Sequence, residues 1–287
     1  MYIYIYTYID IDRYILTIVL FVRASQAARC IEPSMLGRLL RCEVEHATLT
    51  AQCRIPPQLA RLLSPLYPSM TSHPLAASAS AAVPAVHGID RPVFFLQHEK
   101  PESVDAATGS RCNIHEAGFV AALALYLMRQ GHTPASLAIL TPYAGQAALI
   151  SRELRAQKEE GQTTLGGAAA DVRVSTVAQF EGQEADVVLL SLVRSNEQGR
   201  LGLAALPQTV AAALSRAKAA CYVVGNAALL RAHSPLWEKV LSQLHEHKVS
   251  LGDFLPLQAT RDDTGRQALV RSAADFKGVA TEFERRK

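Results

Sequence analysis

Two arginines carry the most informative chemistry in this sequence. Arg54 stands in Gln52-Cys53-Arg54-Ile55-Pro56-Pro57 and Arg216 in Ala213-Leu214-Ser215-Arg216-Ala217-Lys218, each beside a short run that reads as a strand. A guanidinium presents a planar fork of donors that suits a phosphate better than an ammonium does. Two of them facing one site can stabilise charge on a transferring phosphoryl group. The plainer alternative is that each pairs with a surface carboxylate, where ion pairs contribute little. Glu184 closes Gln179-Phe180-Glu181-Gly182-Gln183-Glu184 and can accept from ribose hydroxyls, or simply be solvated at the entrance to a strand. Thr141, Tyr143 and Gln146 lie in Thr-Pro-Tyr-Ala-Gly-Gln. They offer a hydroxyl, a stacking ring and an amide to a nucleic-acid single strand, although Thr-Pro-Tyr is also an ordinary strand-ending turn.

The elements that must position these groups follow from the apolar pattern. Beyond Ile31, short β-branched runs alternate with longer amphipathic stretches, the signature of an α/β fold with a parallel sheet covered by helices. Strands are expected over 46–50, 93–97, 136–140, 172–177, 186–193 and 220–224, with Ala-Asp-Val-Val-Leu-Leu-Ser-Leu-Val as the buried central one. Helices are expected over 57–66, 113–129, 145–157, 207–218 and 235–245. The second begins with an Asn113 cap and Glu116 three residues later. In open parallel sheets ligands gather at the carboxyl ends of the strands, so the four motif loops are expected there. The Ala-, Ser- and Pro-rich stretch 72–92 reads as a surface loop and the charged stretch 251–287 as a flexible tail, which leaves one domain over 31–250.

Composition narrows the classes. A chain of 287 residues with 49% hydrophobic content can bury a substantial core. The net charge is only +3 and the basic residues are dispersed, so nucleic-acid contact has to come from local geometry. Five cysteines, with no C-x-x-C pair, read as reduced thiols of an intracellular protein and not as a disulfide framework or zinc site. Residues 1–12 are a near-repeat of Tyr and Ile, and the apolar run 14–22 falls short of the roughly twenty residues that span a bilayer. Two readings of 1–30 stay open. One is a signal peptide, suggested by Ala24-Ser25-Gln26-Ala27 but lacking a basic start; the other is a low-complexity extension. No stable membrane association is expected.

Taken together and in order, Gln-x-Arg-x-x-Pro, Asn-x-x-Glu-Ala, Ile-x-Thr-Pro-Tyr-x-x-Gln, Phe-x-Gly-x-Glu-x-Asp and Ala-Leu-Ser-Arg-Ala-Lys resemble the second RecA-like domain of superfamily 1 helicases. The most similar subgroup is the one that contains the nonsense-mediated-decay helicase and senataxin. Residues 190–196 and Pro235-Leu236-Trp237 are most like the large NFX-type zinc-finger helicases. The resemblance implies a RecA-like P-loop NTPase fold and a motor that couples ATP hydrolysis, with Mg2+, to movement along RNA or DNA. It implies that Arg54 and Arg216 contact the γ-phosphate, Arg216 as the arginine finger. Gln52, Gly182 and Glu184 would lie at the nucleotide, and Thr141, Tyr143 and Gln146 at the nucleic-acid backbone. A cytoplasmic location follows, with a nuclear pool open.

The sequence departs from that family pattern at Cys53, Pro56, Glu181, Thr209 and Ala211. It also contains no Gly-x-x-x-x-Gly-Lys-Ser/Thr, and its Gly166-Gly167 pair lacks the lysine and reads as a turn. A P-loop-bearing RecA-like domain is therefore the expected protein partner. The alternative is a non-catalytic nucleic-acid or protein binding module derived from a helicase. On either reading the purified chain by itself is expected not to hydrolyse ATP. Turnover above a mock preparation that Arg216→Ala abolishes overturns this.

Overall fold

A computed structural model describes residues 39–40, 42–44, 46–74, 86–106, 108–159, 170–246, 251–258, 267–276 and 279. The expectations for residues 1–30, for Cys30 and for the Gly166-Gly167 turn lie outside the described residues, as does 75–85 of the 72–92 loop.

In chain order the elements are β1 (Ala51–Gln52), α1 (Pro57–Leu63), β2 (Thr71–Ser72), β3 (Val93–Gln97), β4 (Ser103–Val104) and β5 (Arg111–Cys112). Then come α2 (Ile114–Arg129), β6 (Leu137–Thr141), α3 (Ala144–Glu159), β7 (Arg173–Thr176), β8 (Ala185–Ser191), α4 (Pro207–Ser215) and β9 (Ala217–Gly225). The chain continues through α5 (Ala227–His233), α6 (Pro235–Glu246), β10 (Leu251–Gly252), β11 (Leu255–Gln258) and β12 (Gln267–Val270). Six strands form one sheet in the order β10-β3-β9-β8-β6-β7, and every pairing in it is parallel. The run expected to be central is β8, between β6 and β9.

Both faces of the sheet are buried, as parallel sheets require. Alternation along the strands divides the core. Phe94, Leu96, Val187, Leu189 and Tyr222 pack on one side with α2 and α3, while Val93, Phe95, Val188, Leu190 and Val223 pack on the other with α1, α4, α5 and α6. This is the mixed α/β, RecA-like architecture expected from the sequence. Helix α2 begins as its cap motif requires, with the Asn113 side chain accepting from the Glu116 N–H. Trp237 ties α6 to the second layer: its ring meets Phe95 edge-on at 6.3 Å, and its buried N–H donates to the Ala204 carbonyl at 2.7 Å.

Several expectations change. Residues 46–50 carry no strand pairing, and β1 pairs only with β2, outside the main sheet. The helix expected over 207–218 stops at Ser215 because Ala217 is drawn into β9 opposite Ala185, where pairing overrides the helix preference of Ala and Lys. Part of the stretch read as a tail is structured. Leu251 pairs with Phe95 at the sheet edge, and β11 and β12 form an antiparallel hairpin. The hairpin's Leu255, Leu257 and Val270, with Phe276 and Val279, join the core around α2. These apolar residues alternate within a charged stretch, so composition concealed them.

Phe276 lies edge-on to Phe119 at 5.4 Å and is 6% exposed. Phe276→Ala is expected to destabilise the fold by about 3 kcal/mol. Urea unfolding should show this as a lower midpoint with an unchanged slope. A midpoint equal to that of the parent shows that the hairpin segment lies outside the cooperative core.

Candidate functional site

Because the six strands run in one direction, the motif residues divide between two ends of the sheet. Glu184 and Arg216 immediately precede β8 and β9 and stand at the amino edge, whereas Thr141 ends β6 at the carboxyl edge. A strand the length of β8 separates the two by roughly 20 Å. The motif loops therefore do not converge on one edge, which corrects the expectation drawn from the strand ends. Sequence order shows that a motif adjoins a strand, but the ends come into focus only when the pairing directions are known.

At the amino edge the structure brings Arg54, Glu184 and a residue the motif analysis gave no role, Lys218, together. Arg54 Nε lies 3.2 Å from one Glu184 oxygen, and Lys218 Nζ lies 3.3 Å from the other. Lys218 also reaches Asp186 at 3.4 Å. Burial alone would lower the Lys218 pKa, but Glu184 and Asp186 outweigh it and hold the ammonium above its usual range. Arg54 thus meets a carboxylate, the plainer of its two readings. A bulge is the signal for Lys218: between the pairs Ala185–Ala217 and Val187–Ala220, two residues of β9 oppose one of β8.

Gln52 prepares this corner without facing it. Its side-chain oxygen accepts from the N–H groups of Arg54 and Ile55, both at 3.0 Å. Its amide nitrogen donates to the Ile55 carbonyl at 3.0 Å and to Ser72 Oγ at 2.8 Å. With both ends engaged and the residue 5% exposed, Gln52 positions Arg54 and has no capacity left for a ligand. Gly182 turns the preceding loop with φ +69°, which favours glycine. Arg216 joins the corner through its backbone, its carbonyl accepting from the Ala185 N–H at 3.1 Å, but its side chain is fully buried. The two arginines therefore do not present themselves alike: one is at the surface and the other is inside the domain.

At the carboxyl edge Thr141, Tyr143 and Gln146, read from the sequence as nucleic-acid contacts, are all buried. Tyr143 donates to the Leu201 carbonyl at 3.1 Å and accepts from Leu203 N–H at 3.1 Å and Arg194 Nη1 at 3.2 Å. Thr141 Oγ1 accepts from the Tyr143 N–H at 3.4 Å. Gln146 accepts from the Asn113 N–H at 2.8 Å and donates to the Asn113 carbonyl and to Ser191 Oγ at 3.0 and 2.9 Å. Tyr143 and Gln146 thus have partners from distant segments, which sequence spacing does not display.

The centre of that network is Glu116, whose side chain is 0% exposed. One oxygen accepts from Ser191 Oγ at 2.6 Å and the Val193 N–H at 2.9 Å, and the other lies 3.0 Å from His98 Nε2. His98 Nδ1 accepts from the Lys100 N–H at 3.1 Å, so the neutral ring carries its proton on Nε2 and donates it toward Glu116. Val193 adopts φ +73°, a strained conformation for a β-branched residue, and its carbonyl accepts from Asn113 Nδ2 at 3.4 Å. A second carboxylate, Glu102, accepts from Arg194 Nε at 2.8 Å, Ser195 N–H at 2.9 Å and Asn196 Nδ2 at 3.0 Å. Burial works to raise its pKa, but the Arg194, Asn196 and Ser195 donors prevail and hold it below the usual carboxylate range.

The described cysteines, Cys42, Cys53, Cys112 and Cys221, are free thiols, and burial pushes Cys221 up to about 12. Among the described residues no group of three or more His, Cys, Asp or Glu could hold a metal ion. No helix among them is long and apolar enough to cross a membrane.

A family model described as an AAA domain matches residues 31–228. The chain is similar to NFX1-type zinc finger-containing protein 1 of Mus musculus, 34% identical over 250 residues, which is 87% of this chain and 12% of that protein. It is similar to Helicase required for RNAi-mediated heterochromatin assembly 1 of Schizosaccharomyces pombe, 35% identical over 233 residues, 80% of this chain and 22% of that protein. It is also similar to the Regulator of nonsense transcripts 1 homolog of Arabidopsis thaliana, 28% identical over 235 residues, 79% of this chain and 18% of that protein. The chain thus spans less than a quarter of the length of each of these relatives.

Two outcomes follow from the carboxyl-edge network. Glu116→Ala strands the donors of Ser191, Val193 and His98 in the interior and is expected to destabilise the domain by about 3 kcal/mol in urea unfolding. A loss below about 0.5 kcal/mol contradicts the network's role. Glu102, whose pKa is lowered on folding, stabilises the domain above its unfolded value near 4.3 and loses that contribution as pH falls through the lower folded value. The stability gap between the parent and Glu102→Gln should therefore be present at neutral pH and shrink in acid. A gap that widens in acid refutes the assignment.

Proposed function

Because the chain belongs to the AAA domain family, we propose that it is the second motor domain of an ATP-dependent RNA or DNA helicase of superfamily 1. The names of its relatives, among them a helicase and regulators of nonsense transcripts, support that reading, as do the ordered motifs. The observation that carries it is the amino-edge corner, where Arg54, Lys218 and the Arg216 backbone meet around Glu184. This domain contributes cationic contacts to the nucleotide's phosphates, with Arg54 at the surface and Arg216 advancing when the two domains close. A P-loop-bearing domain binds the rest of the nucleotide and its Mg2+. When bound, the nucleotide supplies the transferable phosphoryl group. This chain's residues bind and orient it and stabilise its charge.

The nucleic-acid contact is assigned to the exposed rim of the carboxyl edge, where Lys100 and Arg200 stand on the loops after β3 and β8. The buried Tyr143 and Gln146 hold that rim in place. Contacts of this kind go to phosphate and sugar and carry little sequence preference. A non-catalytic binding module is the second reading, favoured by the carboxylate that already occupies Arg54.

The test joins this chain to a P-loop-bearing helicase domain and measures ATP turnover on single-stranded RNA. Arg54→Ala and Arg216→Lys, each checked for an unchanged melting temperature, are expected to lower turnover by about a hundredfold or more. Lysine at 216 keeps the charge but loses the planar fork. Full turnover in both folded variants removes the arginines from the mechanism, and no turnover in the parent protein supports the binding module.

A further inference from the structure

Resting on the nucleotide-facing reading above, we propose that Glu184 is an internal anion in this corner, holding the position that a nucleotide's polyphosphate takes, and that Lys218 joins Arg54 in receiving it. The geometry of Glu184 carries the inference. One oxygen is 3.2 Å from Arg54 Nε and the other 3.3 Å from Lys218 Nζ, so a single carboxylate bridges cations from two different elements, as a phosphate group does. Its side chain is 44% exposed, against 21% for Arg54 and 33% for Lys218. The anion is the most exposed of the three and is the member that gives way.

The Arg54 backbone and the Lys218 ammonium are each held by a group other than Glu184. Arg54 sits on the turn that Gln52 holds through the Arg54 and Ile55 N–H groups. Lys218 keeps Asp186 at 3.4 Å, so its ammonium stays oriented when Glu184 departs. The β9 bulge at this point re-aims Lys218 relative to regular pairing, a device that recurs beside binding sites. Gly182, two residues before Glu184, lies in the left-handed region that favours glycine. The Lys218 ammonium, held above its usual range, keeps its charge across neutral pH. Arg54, Glu184, Lys218 and Asp186 carry zero net charge together, and displacing Glu184 leaves a net positive corner for an incoming polyanion.

The experiment titrates inorganic tripolyphosphate into the full chain by calorimetry at low ionic strength, where charge interactions are least screened. The proteins are the parent, Glu184→Gln, Lys218→Ala and the double variant, each with its melting temperature recorded. Glu184→Gln is expected to bind about threefold tighter than the parent, the scale of one released exposed ion pair. The double variant is expected to lose that gain. ATP in place of tripolyphosphate should show the same order if the polyphosphate is what is recognised. Three results overturn the proposal: equal or weaker binding by Glu184→Gln, a gain that survives loss of Lys218, or a gain seen with ATP alone. The outcome is independent of turnover, so Arg54 and Arg216 can fail as motor residues while the internal anion stands, and the reverse.

Discussion

A carboxylate with no exposed surface has to be surrounded by donors, and Glu116 meets that demand with three groups from two distant parts of the chain. His98 comes from the end of β3, Ser191 from the end of β8, and the Val193 N–H from the loop beyond it. Satisfying one side chain therefore fixes where the first turn of α2 lies against two strands. Asn113 extends the lock in both directions, capping α2 with its side chain and exchanging backbone bonds with the Gln146 amide on α3. The strain at Val193 persists because Glu116 holds its N–H and Asn113 its carbonyl.

Glu102 does for the outer loops what Glu116 does within. It gathers Arg194, Ser195 and Asn196, and Arg194 in turn reaches Tyr143, whose hydroxyl meets Leu201 and Leu203. Gly202 is what permits that approach. Its φ is +56°, and a Cβ there would come within 2.7 Å of the Tyr143 hydroxyl oxygen. The carboxyl edge is consequently a set of loops after β3, β6 and β8 held to one another by interior hydrogen bonds. The amino edge is different in kind. Its charges pair at distances above 3 Å and stay partly in water, where exchange of one partner for another is inexpensive. A rigid end and an adaptable end are thus joined by a sheet buried on both faces.

Much of this architecture is written in local pattern. Alternation and length placed β3 to the residue and β8 at the centre, and the spacing of Asn113 and Glu116 identified the start of α2. The same pattern was silent where pairing partners are distant. Nothing local indicated that β1 leaves the main sheet for β2, or that Leu255, Leu257 and Val270 enter the core from a charged stretch. Among the motif residues, polarity singled out Gln52, Tyr143 and Gln146 without revealing that their donors and acceptors are engaged inside the fold.

The sequence by itself determined five strands of the main sheet, the helices that cover them, the buried central strand and the family pattern, because these depend on residue type and on periods of two and 3.6 residues. Only the tertiary structure decided which end of the sheet each motif occupies, that Glu184 lies between Arg54 and Lys218, and that Glu116 anchors the opposite edge. The reason is physical. A side chain's role depends on which atoms stand within about 3 Å of it. Those atoms come from segments brought together by strand pairing and core packing across dozens of residues.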